Sequence, residues 1–365
     1  MTDTPQIPAL KVGVIGLGWA GQQHLAAYAA LDRVEIVAIA GQEPELLESL
    51  GEQYGVKHRL AAWTELLDVT GLDAVSVAVP TFLHAPIAVA ALERGLHVLS
   101  EKPIARNGDE GQQMVYAARK AGRVLDVAFN HRLRSDIQVL AGVIASGDIG
   151  RPYYARAAWL RRRGIPLLGS WFTNREKAGG GPLIDIGVHV LDYALHLLGE
   201  PGVLSVSAST YSELGHRGLG GSSRDTADQD RGSSYEVEDF ASAFLRLEGG
   251  GTLVLEAGWA SYRAPEDLMD FSVMATDGGA ELKVPGGKHS DAGDLTVHRD
   301  VAGDVADTHE QIPAGPGHPG VVRRFVENVR DPNTWAEQDG SLALSRARVI
   351  DACYRSAAEQ REVRL

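Results

Sequence analysis

Between Lys11 and Asn130, short apolar runs rich in valine, isoleucine and alanine alternate with longer stretches of helical spacing. The runs Lys11–Gly16, Val34–Gly41, Asp73–Pro80, His97–Pro103 and Val124–Asn130 are almost continuously apolar. Strands of a parallel sheet look like this when helices cover both faces. The stretches between them, Ala20–Leu31, Pro44–Gly55, Trp63–Gly71, Leu83–Gly95 and Asp109–Gly122, have helical spacing, and most close on glycine. Such alternation predicts a doubly wound parallel sheet over residues 1–130.

After a bridging helix in Ser135–Gly150 the period shortens to two. Tyr153–Arg163, Val203–Thr210, Val237–Gly249, Gly251–Ser261 and Asp270–Leu282 read as antiparallel strands with turns at glycine, continuing to about Val284. A helix from Pro182 to Leu198 interrupts them. Leu214–Glu236, dense in glycine, serine, aspartate and arginine, is expected as a long surface loop. Helical stretches at Gly320–Asp331 and Ser341–Gln360 close the chain. Residues 131–365 therefore read as an α+β domain, with the terminal helices able to pack back on the first.

Composition narrows the function classes. A chain of 365 residues suits two domains. The net charge of -13 removes the basic field that phosphate backbones require, so no nucleic acid is expected as a partner. The single cysteine, Cys353, excludes an intrachain disulfide and a cysteine-rich zinc site. The opening MTDTPQIPAL has no basic or apolar leader segment, and no run reaches about 18 apolar residues. Neither export nor a membrane span is expected, and a cytoplasmic setting fits.

VGVIGLGWAGQQH sets Gly16, Gly18 and Gly21 in G-x-G-x-x-G spacing, between an expected strand and an expected helix. In that context Gly16 permits the tight turn, Gly18 lets a pyrophosphate approach the backbone, and Gly21 lets helix and strand pack closely. The helix start, with Trp19 and Ala20, then offers N–H groups and partial positive charge to phosphate. This is the dinucleotide turn of a Rossmann sheet. At the end of the second strand, where an acid usually binds the ribose, stand Gly41 and Gln42, then Glu43. No arginine or lysine lies beside them for a 2′-phosphate, which leans to NAD and leaves NADP open.

GGGPLIDIGVHVLDYALHLLG, Gly179 to Gly199, carries Asp185, His189, Asp192 and His196. On a helix the first three share one face at about 100° per residue. Such a face can line an active site, hold a metal or form a satisfied seam in a core. Three donors from one helix make a poor metal site, and no metal is expected. The glycines are expected to let the chain pass close to cofactor and substrate, with Pro182 starting the helix. The run ending in Ser100–Pro103 places Lys102 at the carboxyl end of the sheet, with Pro103 fixing the backbone and allowing a cis bond.

Taken together, GLGWAGQQH, VPTFLH (Val79–His84), EKP (Glu101–Pro103), FNHR (Phe129–Arg132) and GGGPLIDIGVHVLD (Gly179–Asp192) resemble the glucose-fructose oxidoreductase and inositol dehydrogenase (Gfo/Idh/MocA) family of nicotinamide-dependent enzymes. The likeness runs over nearly the whole chain. It implies a dinucleotide-binding first domain and a second domain whose open, largely antiparallel sheet carries oligomer contacts, in a dimer or tetramer. It also implies a catalytic set of Lys102, Asp185 and His189 around a sugar or cyclitol hydroxyl. Pro80, Thr81 and His84 resemble the family's loop against the nicotinamide, with Glu101, Lys102 and Asn130 also on the cofactor's side. Arg132, Arg163 and Trp171 are expected to help line the substrate pocket. Gly41 departs from the family's usual acid or Ser/Arg signal.

The chemistry read from these residues agrees. Oxidising a secondary alcohol needs a proton acceptor, stabilisation of the alkoxide and positioning. His189 is suited to carry a proton at neutral pH, Asp185 to orient it or bind a hydroxyl, and Lys102 to stabilise the alkoxide or itself take the proton. The expected activity is reversible hydride transfer between NAD or NADP and a sugar, cyclitol or glycoside. A non-catalytic cofactor sensor and an NAD-assisted glycosidase are the alternatives.

Overall fold

The structure is a computed structural model describing residues 8–221, 235–287 and 290–365. Most of the glycine- and serine-rich stretch expected as a surface loop, 222–234, lies outside the described residues. The chain begins β1 (Leu10–Ile15), α1 (Trp19–Ala29), β2 (Val34–Ala40), α2 (Pro44–Gln53), β3 (His58–Leu60), α3 (Trp63–Leu67), β4 (Ala74–Val77), α4 (His84–Glu93), β5 (His97–Ser100), α5 (Gly108–Ala121) and β6 (Leu125–Val127). It continues through α6 (Ser135–Ala145), β7 (Pro152–Arg161), α7 (Arg175–Ala178), α8 (Val188–Leu197), β8 (Val203–Tyr211), β9 (Phe240–Leu247), β10 (Thr252–Gly258), β11 (Asp267–Ala275) and β12 (Gly278–Pro285). It closes with β13 (Ala292–Val301), β14 (Asp304–Val305), β15 (Thr308–Pro313), α9 (Gly317–Arg330), α10 (Ser341–Glu359) and β16 (Val363–Arg364).

Two compact units result. The first comprises residues 1–105, 109–128 and 318–344. Its six strands are all parallel, in the order β3-β2-β1-β4-β5-β6. The order reverses beside β1, so the turn leaving β1 opens at the crevice where such sheets take ligands. Val12, Val14, Val75, Val77, Val98 and Leu99 are fully buried, as a sheet covered on both faces requires. The short β3 is an addition to the predicted strands, because HRL carries no apolar run to announce it.

The second unit comprises 106–108, 129–317 and 345–365. Its sheet follows the order β14-β13-β12-β11-β7-β10-β9-β8-β16, with β15 paired to β13. Every pairing is antiparallel except β7 with β10. One face packs under α6 and α8, where Trp159, Tyr193, Phe271 and Leu253 are buried in one core. On the other face Phe244 and Met274 are exposed, and Arg156 crosses between Glu256 and Asp270. Antiparallel pairing continues past Val284, the expected end, because β13 to β15 alternate too few apolar residues to stand out. In β13 the buried positions are Gly293, Leu295 and Val297. No described helix is long and apolar enough to cross a membrane.

Candidate active site

In the first unit the expected cofactor residues gather at the carboxyl edge of the parallel sheet. Gly16 turns the chain out of β1 at φ +93, and a Cβ there would lie 2.1 Å from the Ala78 carbonyl oxygen. Gly21 packs so closely that a Cβ would meet the Gly16 carbonyl oxygen at 1.9 Å. A Cβ on Gly18, by contrast, would meet nothing within 4 Å. Gly18 is the N-cap of α1, whose first turn has no acidic residue and no side-chain hydrogen bond at its cap. Gly16 and Gly21 thus serve the turn and the helix packing that the spacing predicts. These two let the protein pack on itself, and Gly18 leaves room for an anionic group, which fits a dinucleotide pyrophosphate. Trp19 stands exposed beside them, and Ala20 follows it in α1.

Gly41 and Gln42 leave the end of β2, and Glu43 caps α2. After β4, Pro80 precedes a short turn, Thr81–Leu83, and Thr81 and His84 are buried. His84 lies between two carbonyl oxygens, Nδ1 at 2.8 Å from Pro103 and Nε2 at 2.9 Å from Val79. Burial lowers its pKa against the pull of those carbonyls, so the ring is neutral and donates from one nitrogen at a time. It ties the segment after β4 to the one after β5. There the Lys102–Pro103 bond is cis. Lys102 is partly exposed, and its backbone N–H donates to Glu101 Oε2 at 3.2 Å.

Glu101 is buried, and Oε1 faces two rings, His24 Nε2 and His318 Nε2, each at 3.2 Å. Burial works to raise the Glu101 pKa, but contact with the two histidines outweighs it and holds the carboxyl well below its ordinary range. The donor atoms of His24, Glu101 and His318 lie within 4.8 Å of one another, a set a metal could bridge. The sequence announces a metal reading only on the helix bearing Asp185, because His318 sits in a GHPG stretch with no motif around it.

In the second unit the glycines of the GGGP stretch pack closely against the protein itself. A Cβ on Gly179 (φ +88) would meet the Arg106 carbonyl oxygen at 2.5 Å, on Gly180 the Tyr354 hydroxyl at 2.0 Å, and on Gly181 the Glu238 carbonyl oxygen at 2.2 Å. Glu238 was not legible as a site residue. It is buried and accepts from the N–H groups of Gly181 (3.0 Å) and Leu183 (3.1 Å) and from the Tyr354 hydroxyl (2.8 Å). Burial raises its pKa despite those three donors. The carboxyl caps the helix start that the glycines lead into.

That helix opens with a π turn, Leu183–Gly187, before α8. Such turns widen the helix by one residue and recur at functional sites. Asp185 lies in it, half-buried, and accepts a hydrogen bond from Trp259 Nε1 at 3.0 Å. His189 is buried, with the His131 ring at 4.5 Å and the Trp159 ring at 5.9 Å. Trp159 in turn carries the Arg161 guanidinium 4.7 Å above its ring. One turn further, Asp192 is buried between Arg132 and Arg346. Two guanidinium groups on that carboxylate rule out the helix as a three-ligand metal site. They also hold Arg132, expected at the substrate, in a charge network that includes Glu200. His196 lies 3.9 Å from Glu200.

The remaining expected residues are spread over the second unit. Asn130 opens a short turn, Asn130–Leu133, which brings His131 onto His189. Arg163 is exposed and forms a single bridge with Ala260. Trp171 stacks on Phe172 at 3.8 Å. Trp159, Trp259 and His131, which the sequence did not single out, hold Asp185 and His189. Only His131 carried a signal, as the third residue of FNHR.

A model described as an oxidoreductase family with an NAD-binding Rossmann fold matches residues 10–129, and the GFO/IDH/MocA C-terminal domain matches 137–281. The chain belongs to the GFO/IDH/MocA family of oxidoreductases. It is 35% identical over 286 residues to a D-glucoside 3-dehydrogenase of Escherichia coli (strain K12), spanning 77% of this chain and 78% of that protein. It is 31% identical to a levoglucosan dehydrogenase of Pseudarthrobacter phenanthrenivorans, over 74% of this chain and 72% of that protein. A levoglucosan dehydrogenase structure in complex with NADH and L-sorbose superposes with a TM-score of 0.81 at 26% identity, covering 98% and 99% of the two chains.

Proposed function

We propose that the protein is a nicotinamide-dependent dehydrogenase of sugars, cyclitols or glycosides, with Lys102, Asp185 and His189 as its proton-handling set. The observation that carries the reading is the glycine turn. Two of its glycines are used up by packing, while Gly18 stands open at the N-terminus of α1, on the sheet edge that also carries Lys102. The relatives named above, a D-glucoside 3-dehydrogenase and a levoglucosan dehydrogenase, support a pyranose ring or glycoside as substrate.

The first unit binds the dinucleotide, and the second presents the sugar. When bound, the nicotinamide supplies the hydride acceptor. For hydride to leave a carbon, its hydroxyl proton must leave as well. His189, held among aromatic rings, takes that proton, and Lys102 places a positive charge where the alkoxide develops. Asp185, fixed by the Trp259 N–H, binds a substrate hydroxyl and sets the ring's orientation. Trp159 and Trp171 supply faces for the C–H side of a sugar, and Arg163 a forked donor for its hydroxyls.

NAD is favoured over NADP. Glu43, whose Oε2 is 3.3 Å from where a Cβ on Gly41 would be, puts negative charge beside the end of β2. It accepts from ribose hydroxyls and repels a 2′-phosphate. The uncovered face of the second sheet supports a homo-oligomer, and the activity belongs in the cytoplasm.

The test is a panel of glucosides, anhydrosugars, free hexoses and inositols with NAD and with NADP, read by absorbance of the reduced cofactor. Net NADH formation on at least one glycoside or sugar, faster than NADPH formation, is expected. Cofactor binding without turnover on any substrate would point to a sensor. Sugar release without net NADH would point to a glycosidase.

A further inference from the structure

We infer that His24, Glu101 and His318 form a positioning cluster that holds Lys102 in place and fastens it to the glycine turn. The inference rests on the reading of Lys102 as catalytic. Lys102 follows Glu101 directly, and Glu101 is anchored at three points. Its N–H donates to the Val77 carbonyl (2.8 Å), Oε2 accepts the Lys102 N–H (3.2 Å), and Oε1 lies 3.2 Å from both His24 Nε2 and His318 Nε2. On the far side, the Pro103 carbonyl is held by His84. The Lys102 backbone N–H and the carbonyl of the next residue are therefore each held by a buried side chain.

The two histidines come from different places and do different things. His24 is fully buried in α1, the helix whose N-cap is Gly18. Its Nε2 lies 3.2 Å from Oε1 without a hydrogen bond, and its Nδ1 has no hydrogen-bond partner among the described residues. Its contact favours the charged form of Glu101. His318 stands in the first turn of α9 and makes a proper hydrogen bond to Oε1. Its ring also meets the ring of exposed Trp19 edge-on at 5.1 Å. Through His318 the carboxylate touches the lip of the glycine turn, and through its own backbone it sets Lys102. A buried, ionised carboxylate is costly unless its partners stay in place, so the cluster is stiff as long as it is complete.

The experiment is a double-mutant cycle of Glu101→Gln and Lys102→Ala, measured as kcat and sugar KM at saturating NAD, with NADH affinity and thermal midpoint recorded for each protein. Glu101→Gln is expected to lower kcat about ten- to a hundredfold, with sugar KM changed less than about threefold, as misplacement of a catalytic group does. It should have no further effect once Lys102 is alanine, because Glu101 acts through it. Equal kcat losses from Glu101→Gln in both backgrounds, or none in either, would overturn the cluster's role. An unimpaired Lys102→Ala would instead overturn the catalytic reading of Lys102. If Glu101→Gln does not fold, His318→Gln at the start of α9 takes its place in the cycle, with a smaller loss of the same form. Metal analysis of the purified wild type decides the remaining case. One equivalent of zinc, lost on His24→Gln, would overturn positioning in favour of a metal site.

Discussion

The reactive groups proposed in the two units are held by different means. Lys102 in the first unit is set by charge and main chain: an ionised Glu101 between two histidines, and a carbonyl held by His84. Asp185 and His189 in the second unit are set by rings, Trp259 on one and His131 with Trp159 on the other. One turn further along the helix, Asp192 meets Arg132 and Arg346. The comparison predicts that the two units respond differently to lost charge, lost shape and acid.

The largest effect is expected at Asp192. Asp192→Ala removes the buried carboxylate that Arg132 and Arg346 share and should destabilise the fold by about 3–5 kcal/mol. Urea unfolding measures this, and a loss below about 1 kcal/mol would mean that the aromatic core alone carries the second unit. Next come the glycines of the first unit. Gly21→Ala forces a Cβ against the Gly16 carbonyl and should cost about 1–3 kcal/mol. Gly18→Ala should leave stability within about 0.5 kcal/mol while weakening NADH binding, because its Cβ enters open space that the cofactor needs. Fluorescence titration with NADH separates the two variants. If Gly18→Ala binds NADH as the wild type does, the phosphates do not sit on that turn.

A smaller effect belongs to the rings. Trp259→Phe keeps an aromatic plug but removes the N–H on Asp185, a loss of about 1 kcal/mol, or roughly fivefold in kcat. Steady-state kinetics on the preferred sugar reads it, and unchanged kcat would show that Asp185 needs no orientation. The last effect is in the response to acid. Burial, helped by the Arg123 charge, lowers the His97 pKa to about 4, and its Nδ1 accepts the Val124 N–H at 3.0 Å. In the unfolded chain the ring takes a proton near pH 6.5, whereas in the fold it does so near pH 4. Between those values the unfolded state binds more protons, so stability contributed by neutral His97 is complete above pH 6.5 and falls as pH drops toward 4. His97→Gln should flatten the pH dependence of the unfolding midpoint over that window. A slope equal to that of the wild type would place the acid sensitivity elsewhere.

What the sequence shows of this molecule is what local rules enforce. The parallel sheet was legible because its strands are buried on both faces, and the glycine turn because each glycine has a backbone reason. Lys102, Asp185 and His189 were legible as candidates through motif spacing. The supports of those residues were not, because they come from distant parts of the chain. Trp259 lies 74 residues from Asp185, and His318 lies 217 residues from Glu101. The neighbours of the GGGP stretch were illegible for a related reason. Glycines announce a close approach without saying to what, and here the neighbours are Arg106, Tyr354 and Glu238. Likewise the simple 100° face did not foresee the π turn at Leu183–Gly187.

Single-turnover hydride transfer tests the central claim most directly. Enzyme saturated with NAD is mixed with a sugar that the wild type oxidises, and NADH formation is followed in wild type, Lys102→Ala and His189→Ala, with NADH affinity measured separately. The account predicts unchanged cofactor affinity and transfer slowed at least about a hundredfold in both variants. Transfer at the wild-type rate in both would contradict it.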